Sequence, residues 1–86
     1  FWISYAGVDP IPYIKKHAGR FSMLHVKDLT RDRKMAAVGE GAIDFASIFA
    51  HADAGGFEHY FVEHDNPVDA IASVTTSIAA VRELRF

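Results

Sequence analysis

Two short runs concentrate the side chains that could do chemistry, His25-Val26-Lys27-Asp28 and Glu63-His64-Asp65. Each follows a stretch rich in apolar, aromatic or branched residues, so each is expected where a β-strand runs out. In parallel α/β architectures ligands bind at the C-terminal ends of strands, and neighbouring strands lie about 4.8 Å apart. His25 and Glu63 could then meet at one mouth despite their separation in the chain. An imidazole nitrogen and a carboxylate oxygen converging there suit a divalent cation. The same residues also have a plainer reading, in which His25 hydrogen-bonds within a loop and Glu63 pairs with Lys27 or Arg31.

Other polar residues rank lower. Asp65 and Asn66 have the chemistry of turn and capping positions, with His64 beside them. His17, His51 and His59 read as structural. Gly39-Glu40-Gly41 is no phosphate loop, since it lacks the lysine and the preceding strand of that motif; its glycines point to positive φ or to a close backbone approach. The basic run from Lys27 to Lys34 is diluted by Asp28 and Asp32, and reads either as a solvated loop or as a site for an anionic or polyhydroxy ligand. Trp2 could stack on the apolar face of a ligand or be buried in a small core.

The elements that would position these residues follow from pattern. Phe1–Tyr5 reads as a first strand, ended by Ala6-Gly7. Asp9-Pro10 is a capping carboxylate with proline at the first helical position; Ile11, Ile14 and Ala18 follow at helical spacing, and Gly19 ends the helix. Phe21–Val26 is a second strand, nearly continuous in apolar character and suited to cover on both faces. A polar loop spans Lys27–Gly41. Asp44 then caps a helix with Phe45, Ile48, Phe49 and Ala52 on one face, stopped by Gly55-Gly56. Phe57–Glu63 is a third strand. Asn66-Pro67 opens a last helix to about Arg85, with Val68, Ile71, Val74, Ile78, Val81 and Leu84 expected inward. The β-α-β-α-β-α order predicts an α/β fold with a parallel sheet, and three parallel strands leave two open edges.

Composition bounds the rest. The chain has 86 residues, 50% hydrophobic and 23% charged, which is globular rather than disordered and long enough for one small domain. With no cysteine no disulfide can staple it. A formal net charge of −2 argues against nucleic acid or an anionic membrane as partner. The longest apolar stretches fall far below the ~20 residues of a membrane span, and no signal peptide is visible. The chain opens on Phe1-Trp2-Ile3 without an initiating Met, so a fragment or processed piece is expected. A cytoplasmic location is the expectation, with export left open because an upstream leader would lie outside the chain. If these residues are all that is present, the open edges should drive self-association.

Several elements together resemble a known family: Trp2, Ala6-Gly7-Val8-Asp9-Pro10, Gly19-Arg20, Leu24-His25-Val26-Lys27-Asp28, Val38-Gly39-Glu40-Gly41-Ala42-Ile43-Asp44-Phe45 and Val62-Glu63-His64-Asp65. In order and spacing they are similar to the C-terminal part of the xylose-isomerase-like TIM-barrel proteins. That group of sugar phosphate isomerases and epimerases includes ketose 3-epimerases and inosose-processing enzymes, with endonuclease IV more distant. The resemblance implies that the three strands are barrel strands six to eight. It implies a divalent metal (Mn, Mg, Co or Zn) held by His25 and Glu63 with two further carboxylates that this chain does not contain. It places Arg31, Lys27 and Trp2 at a sugar or sugar phosphate, although Trp2 stands where the epimerases often carry a histidine. It implies proton transfer next to a carbonyl, with Glu63 as both ligand and acid/base. The segment alone is then expected to be inert. The alternative is a non-catalytic sugar-binding or structural module of the same fold. A phosphodiester-cleaving enzyme is disfavoured by the acidic balance.

Overall fold

A computed structural model describes residues 1–86. The chain begins with a single helical turn, α1 (Trp2–Tyr5), and not with the expected strand. Strand propensity is overridden here because no neighbouring strand offers a ladder. The helical turn instead gathers three rings: Phe1 lies edge-on to Trp2 at 4.7 Å and stacks on Tyr5 at 5.7 Å between centroids. Gly7, at φ 78°, turns the chain into α2 (Pro10–Lys16), where the Asp9 carboxylate accepts from the Ile11 N–H at 2.9 Å. Ile14 is the buried residue of that helix.

Strand β1 (Met23–Val26) follows. The stretch expected to be a polar loop then forms a tight antiparallel hairpin of β2 (Asp28–Leu29) and β3 (Met35–Ala36). The Thr30 hydroxyl organises its turn, donating to Asp32 at 2.7 Å and accepting from the Lys34 N–H at 2.9 Å. Ala36, Ala37 and Val38 are buried behind it. Two-residue strands leave no alternation to detect, which is why this stretch read as a loop.

The next helix divides into α3 (Phe45–Phe49) and α4 (Ala52–Gly55), with the break at Ala50-His51. Asp44 caps α3 through the Ser47 N–H at 3.0 Å, and Gly56 closes α4 at φ 78°. Strand β4 (His59–Val62) then pairs in parallel with β1, with His25 opposite Phe61 and Val26 opposite Val62. The last helix, α5 (Ala70–Glu83), starts three residues beyond Pro67. Asn66 takes a positive φ of 53°, and Asp69 supplies the cap to the Ala72 N–H at 2.9 Å.

The fold is thus a small α/β arrangement with two parallel strands where three were expected. Ile14, Val26, Val38, Phe45, Ile48 and Phe49 form the core, with Leu24, Val62, Val81 and Leu84 packed on it. Leu24, Val26 and Val62 share one face of the sheet by strand alternation. The opposite face carries Met23, His25 and Phe61, all exposed. The expected inward face of α5 is also corrected. Val68, Ile71, Val74 and Ile78 are exposed, and only the C-terminal part of the helix reaches the core. A sheet of two strands is too narrow to cover the rest.

Candidate metal centre at the strand ends

The site begins where β1 and β4 run out side by side. Residues of one parity share a sheet face, so His25 and Lys27 on one strand line meet Phe61 and Glu63 on the other. The Glu63 N–H still donates to the Val26 carbonyl at 3.0 Å, which carries the parallel ladder past Val62 and fixes the Glu63 backbone beside β1. The His25 Nδ1 and Glu63 Oε2 atoms are in direct hydrogen-bond contact. The second carboxylate oxygen, Oε1, lies 2.9 Å from the Lys27 ammonium. Lys27 is held from the other side by Asp65, at 2.9 and 3.2 Å to its two oxygens. The Trp2 ring stands 5.9 Å from the same ammonium.

Burial divides this cluster. The Lys27 side chain is only 8% exposed, whereas those of His25 and Glu63 are 62% and 37% exposed. The cation is therefore enclosed and the potential ligands face outward. The hydrogen bond from His25, then that from Lys27, pushes the Glu63 carboxyl down to about 2. Asp65 first and Glu63 second push the Lys27 ammonium above its ordinary range. Glu63 is an anion throughout the neutral range, with one oxygen on lysine and one turned to imidazole.

These donors fit two positions of a divalent site: one nitrogen and one anionic oxygen, open to solvent and converging on one point. No cluster of three or more His, Cys, Asp or Glu side chains suited to a metal ion forms in the chain. The plainer reading is also partly realised, since Glu63 does pair with Lys27.

Arg31 does not join this cluster. It lines an open cavity of about 580 Å³ with Arg33, Thr30, Asp9 and Asp44, and forms no ion pair. Arg33 closes one side of that cavity, donating to the Tyr5 carbonyl at 2.8 Å with its guanidinium 4.3 Å from the Tyr5 ring. The other histidines are engaged elsewhere. His64 Nδ1 pairs with the Ser73 hydroxyl at 2.7 Å, and His51 Nδ1 donates to the Ser47 carbonyl at 2.8 Å.

One residue had no signal of its own in the sequence. Asp28 is 1% exposed, and its carboxylate accepts from the N–H groups of Leu29, Gly39, Gly41 and Ile43 at 2.8 to 3.2 Å. It ties the Gly39-Glu40-Gly41 turn to the end of β1. The glycines follow from this: a Cβ on Gly41 would overlap the Asp28 carboxylate, and one on Gly39 would lie 2.6 Å from the Ala80 Cβ, with φ already at 94°. The close approach expected of this turn is therefore to the protein's own carboxylate. The only hint was two glycines at short spacing after an Asp, which many turns share.

The fold and site together describe a parallel α/β segment with a His–Glu pair and a buried lysine at its strand ends. No family model matches the chain. It is 30% identical over 87 aligned residues, 80% of its length, to the inosose dehydratase of Geobacillus thermodenitrificans strain NG80-2. It spans 29% of that protein, and the match agrees with the resemblance carried by the His-Val-Lys-Asp and Gly-Glu-Gly-Ala-Ile-Asp runs. No helix is long and apolar enough to cross a membrane.

Proposed function

We propose that this chain is a segment of a metal-dependent enzyme of the xylose-isomerase-like barrel group, acting on a sugar or sugar phosphate by proton transfer next to a carbonyl. The observation that carries the reading is the direct meeting of His25 and Glu63 at the ends of two parallel strands. His25 Nδ1 and Glu63 Oε2 would hold the cation, which supplies Lewis-acid polarisation of a carbonyl when bound. A carboxyl held at about 2 is suited to serve as ligand. Acid/base duty needs a pKa nearer the working pH, so the ligand role of Glu63 has the better support. Trp2 and Arg31 border the mouth and the neighbouring cavity, where a polyhydroxylated substrate would lie.

The relative's name favours a second form of the same chemistry. Dehydration next to a ketone and epimerisation next to a ketone share a first step, removal of the proton beside the carbonyl. They part only in what leaves afterwards. Isomerase or epimerase activity remains the leading reading, and a cyclic polyol ketone joins the ketoses as a substrate to test.

The test is a chimera in which this chain replaces the aligned segment of the Geobacillus protein, assayed with Mn²⁺ against ketoses, their phosphates and inososes. The expected result is turnover that disappears in His25→Ala and Glu63→Ala. A folded chimera that binds sugar without turnover would instead support the non-catalytic module. The isolated 86 residues should show no turnover with any of these substrates.

A further inference from the structure

We infer that Lys27 is a positioning residue of the cation site and not a substrate contact: its buried ammonium ties Glu63 Oε1 to Asp65 and so presents Glu63 Oε2 alone to His25. The inference rests on the reading of His25 and Glu63 as a ligand pair.

Glu63 reaches the mouth from beyond the last residue of β4, where the ladder no longer holds its neighbours, and its side chain has rotatable bonds to spare. Something must choose its rotamer. The ammonium does so from below, at 2.9 Å from Oε1, while it is itself anchored by both oxygens of Asp65 at 2.9 and 3.2 Å. An ammonium has three N–H donors. Glu63 and Asp65 engage them, and with 8% of its side chain exposed lysine has no free face for a ligand. A cation entering the mouth therefore meets Glu63 through one oxygen, and replaces the contact between Oε2 and the His25 ring. The arrangement matches the general way in which groups behind a metal ligand orient it.

Position and charge make opposite forecasts. If Lys27 acted only through its charge, removing it would strengthen cation binding, because a positive neighbour would be lost. If it acts by holding Glu63, removing it weakens binding. The experiment titrates Mn²⁺ alone into the full chain and into Lys27→Met, Lys27→Arg, Asp65→Asn and His25→Ala, and also records the imidazole ¹⁵N shifts of His25 without metal. The expected results are affinity about tenfold weaker in Lys27→Met, partial recovery in Lys27→Arg, and a smaller loss in Asp65→Asn, which keeps the lysine but frees it. Without metal, Lys27→Met should also shift the His25 Nδ1 resonance as its carboxylate partner swings away.

Equal or tighter Mn²⁺ binding by Lys27→Met, with an unchanged His25 shift, would overturn the positioning role. Failure of the ligand reading shows differently: His25→Ala would bind Mn²⁺ as wild type does. The His25 shift in Lys27→Met would then still decide whether the lysine holds Glu63. Should Lys27→Met fail to fold, Asp65→Asn serves, and unchanged affinity and His25 shift there would overturn the proposal.

Discussion

At the residue scale, two carboxylates next to basic or amide groups do different work. Asp28 is buried and accepts four backbone N–H groups, so it is a structural latch for the Gly39-Glu40-Gly41 turn. Asp28→Ala leaves those donors without a partner, and a single buried unsatisfied group costs roughly 1–3 kcal/mol; chemical denaturation should show a loss of at least about 2 kcal/mol. Glu63 is outward-facing and acts through charge. Its carboxyl is lowered in the folded chain from the ordinary 4.5 to about 2, so the folded state binds this proton less readily than the unfolded one. Its contribution to stability is full above pH 4.5 and is lost as pH falls toward about 2. Unfolding curves from pH 6 to pH 2 should therefore show a shallower acid decline in Glu63→Gln than in wild type. An identical decline would show that the contacts to His25 and Lys27 do not persist in solution. His25 and Glu63 were legible as candidates because strand-end position is readable from pattern alone. Lys27 and Asp28 follow directly in sequence, yet their burial and their partners arise from tertiary packing that no local pattern reports.

At the scale of elements, the helices with a capping Asp were the readable ones. Asp9-Pro10 and Asp44 marked helix starts that the structure reproduces, and Gly55-Gly56 marked an end. The misreadings share one cause, which is that the apolar pattern says a face is sticky but not what covers it. Phe1–Tyr5 has strand composition, but becomes a helical turn that packs its rings on one another. The apolar stripe of α5 is real, yet Ile71 is 76% exposed. Substitutions should separate the two kinds of apolar residue. Ile71→Lys should change stability by less than about 0.5 kcal/mol, and Phe49→Ala, which opens the core, by about 3–5 kcal/mol. Comparable losses at both positions, measured by urea unfolding, would mean that the α5 stripe is covered in solution.

That possibility leads to the whole molecule. Two parallel strands leave an open edge on each side, and exposed Met23 and Phe61 lie on the uncovered sheet face. Exposed Val68, Ile71, Val74 and Ile78 add a second apolar surface. Unpaired edges and large apolar patches favour association. We expect light scattering on the isolated chain to report species larger than a monomer at micromolar concentration, with Phe61→Lys and Ile71→Lys shifting the distribution downward; a stable, cooperatively unfolding monomer would contradict this. The parallel pairing of β1 and β4 and the position of the chemistry at their ends were both readable from the alternation of elements. The number of strands in the sheet was not, because a first segment of strand-like composition found no partner to pair with.

The central claim is that His25 and Glu63 form a cation site. The most direct measurement is the ¹H–¹⁵N spectrum of the chain during addition of substoichiometric Mn²⁺, whose paramagnetism broadens signals near wherever the ion resides. The account predicts broadening centred on His25 and Glu63, with Val26, Lys27 and Val62 next, abolished in His25→Ala. Broadening centred elsewhere, such as around Asp9 and Asp44, or an unchanged pattern in His25→Ala, would contradict it.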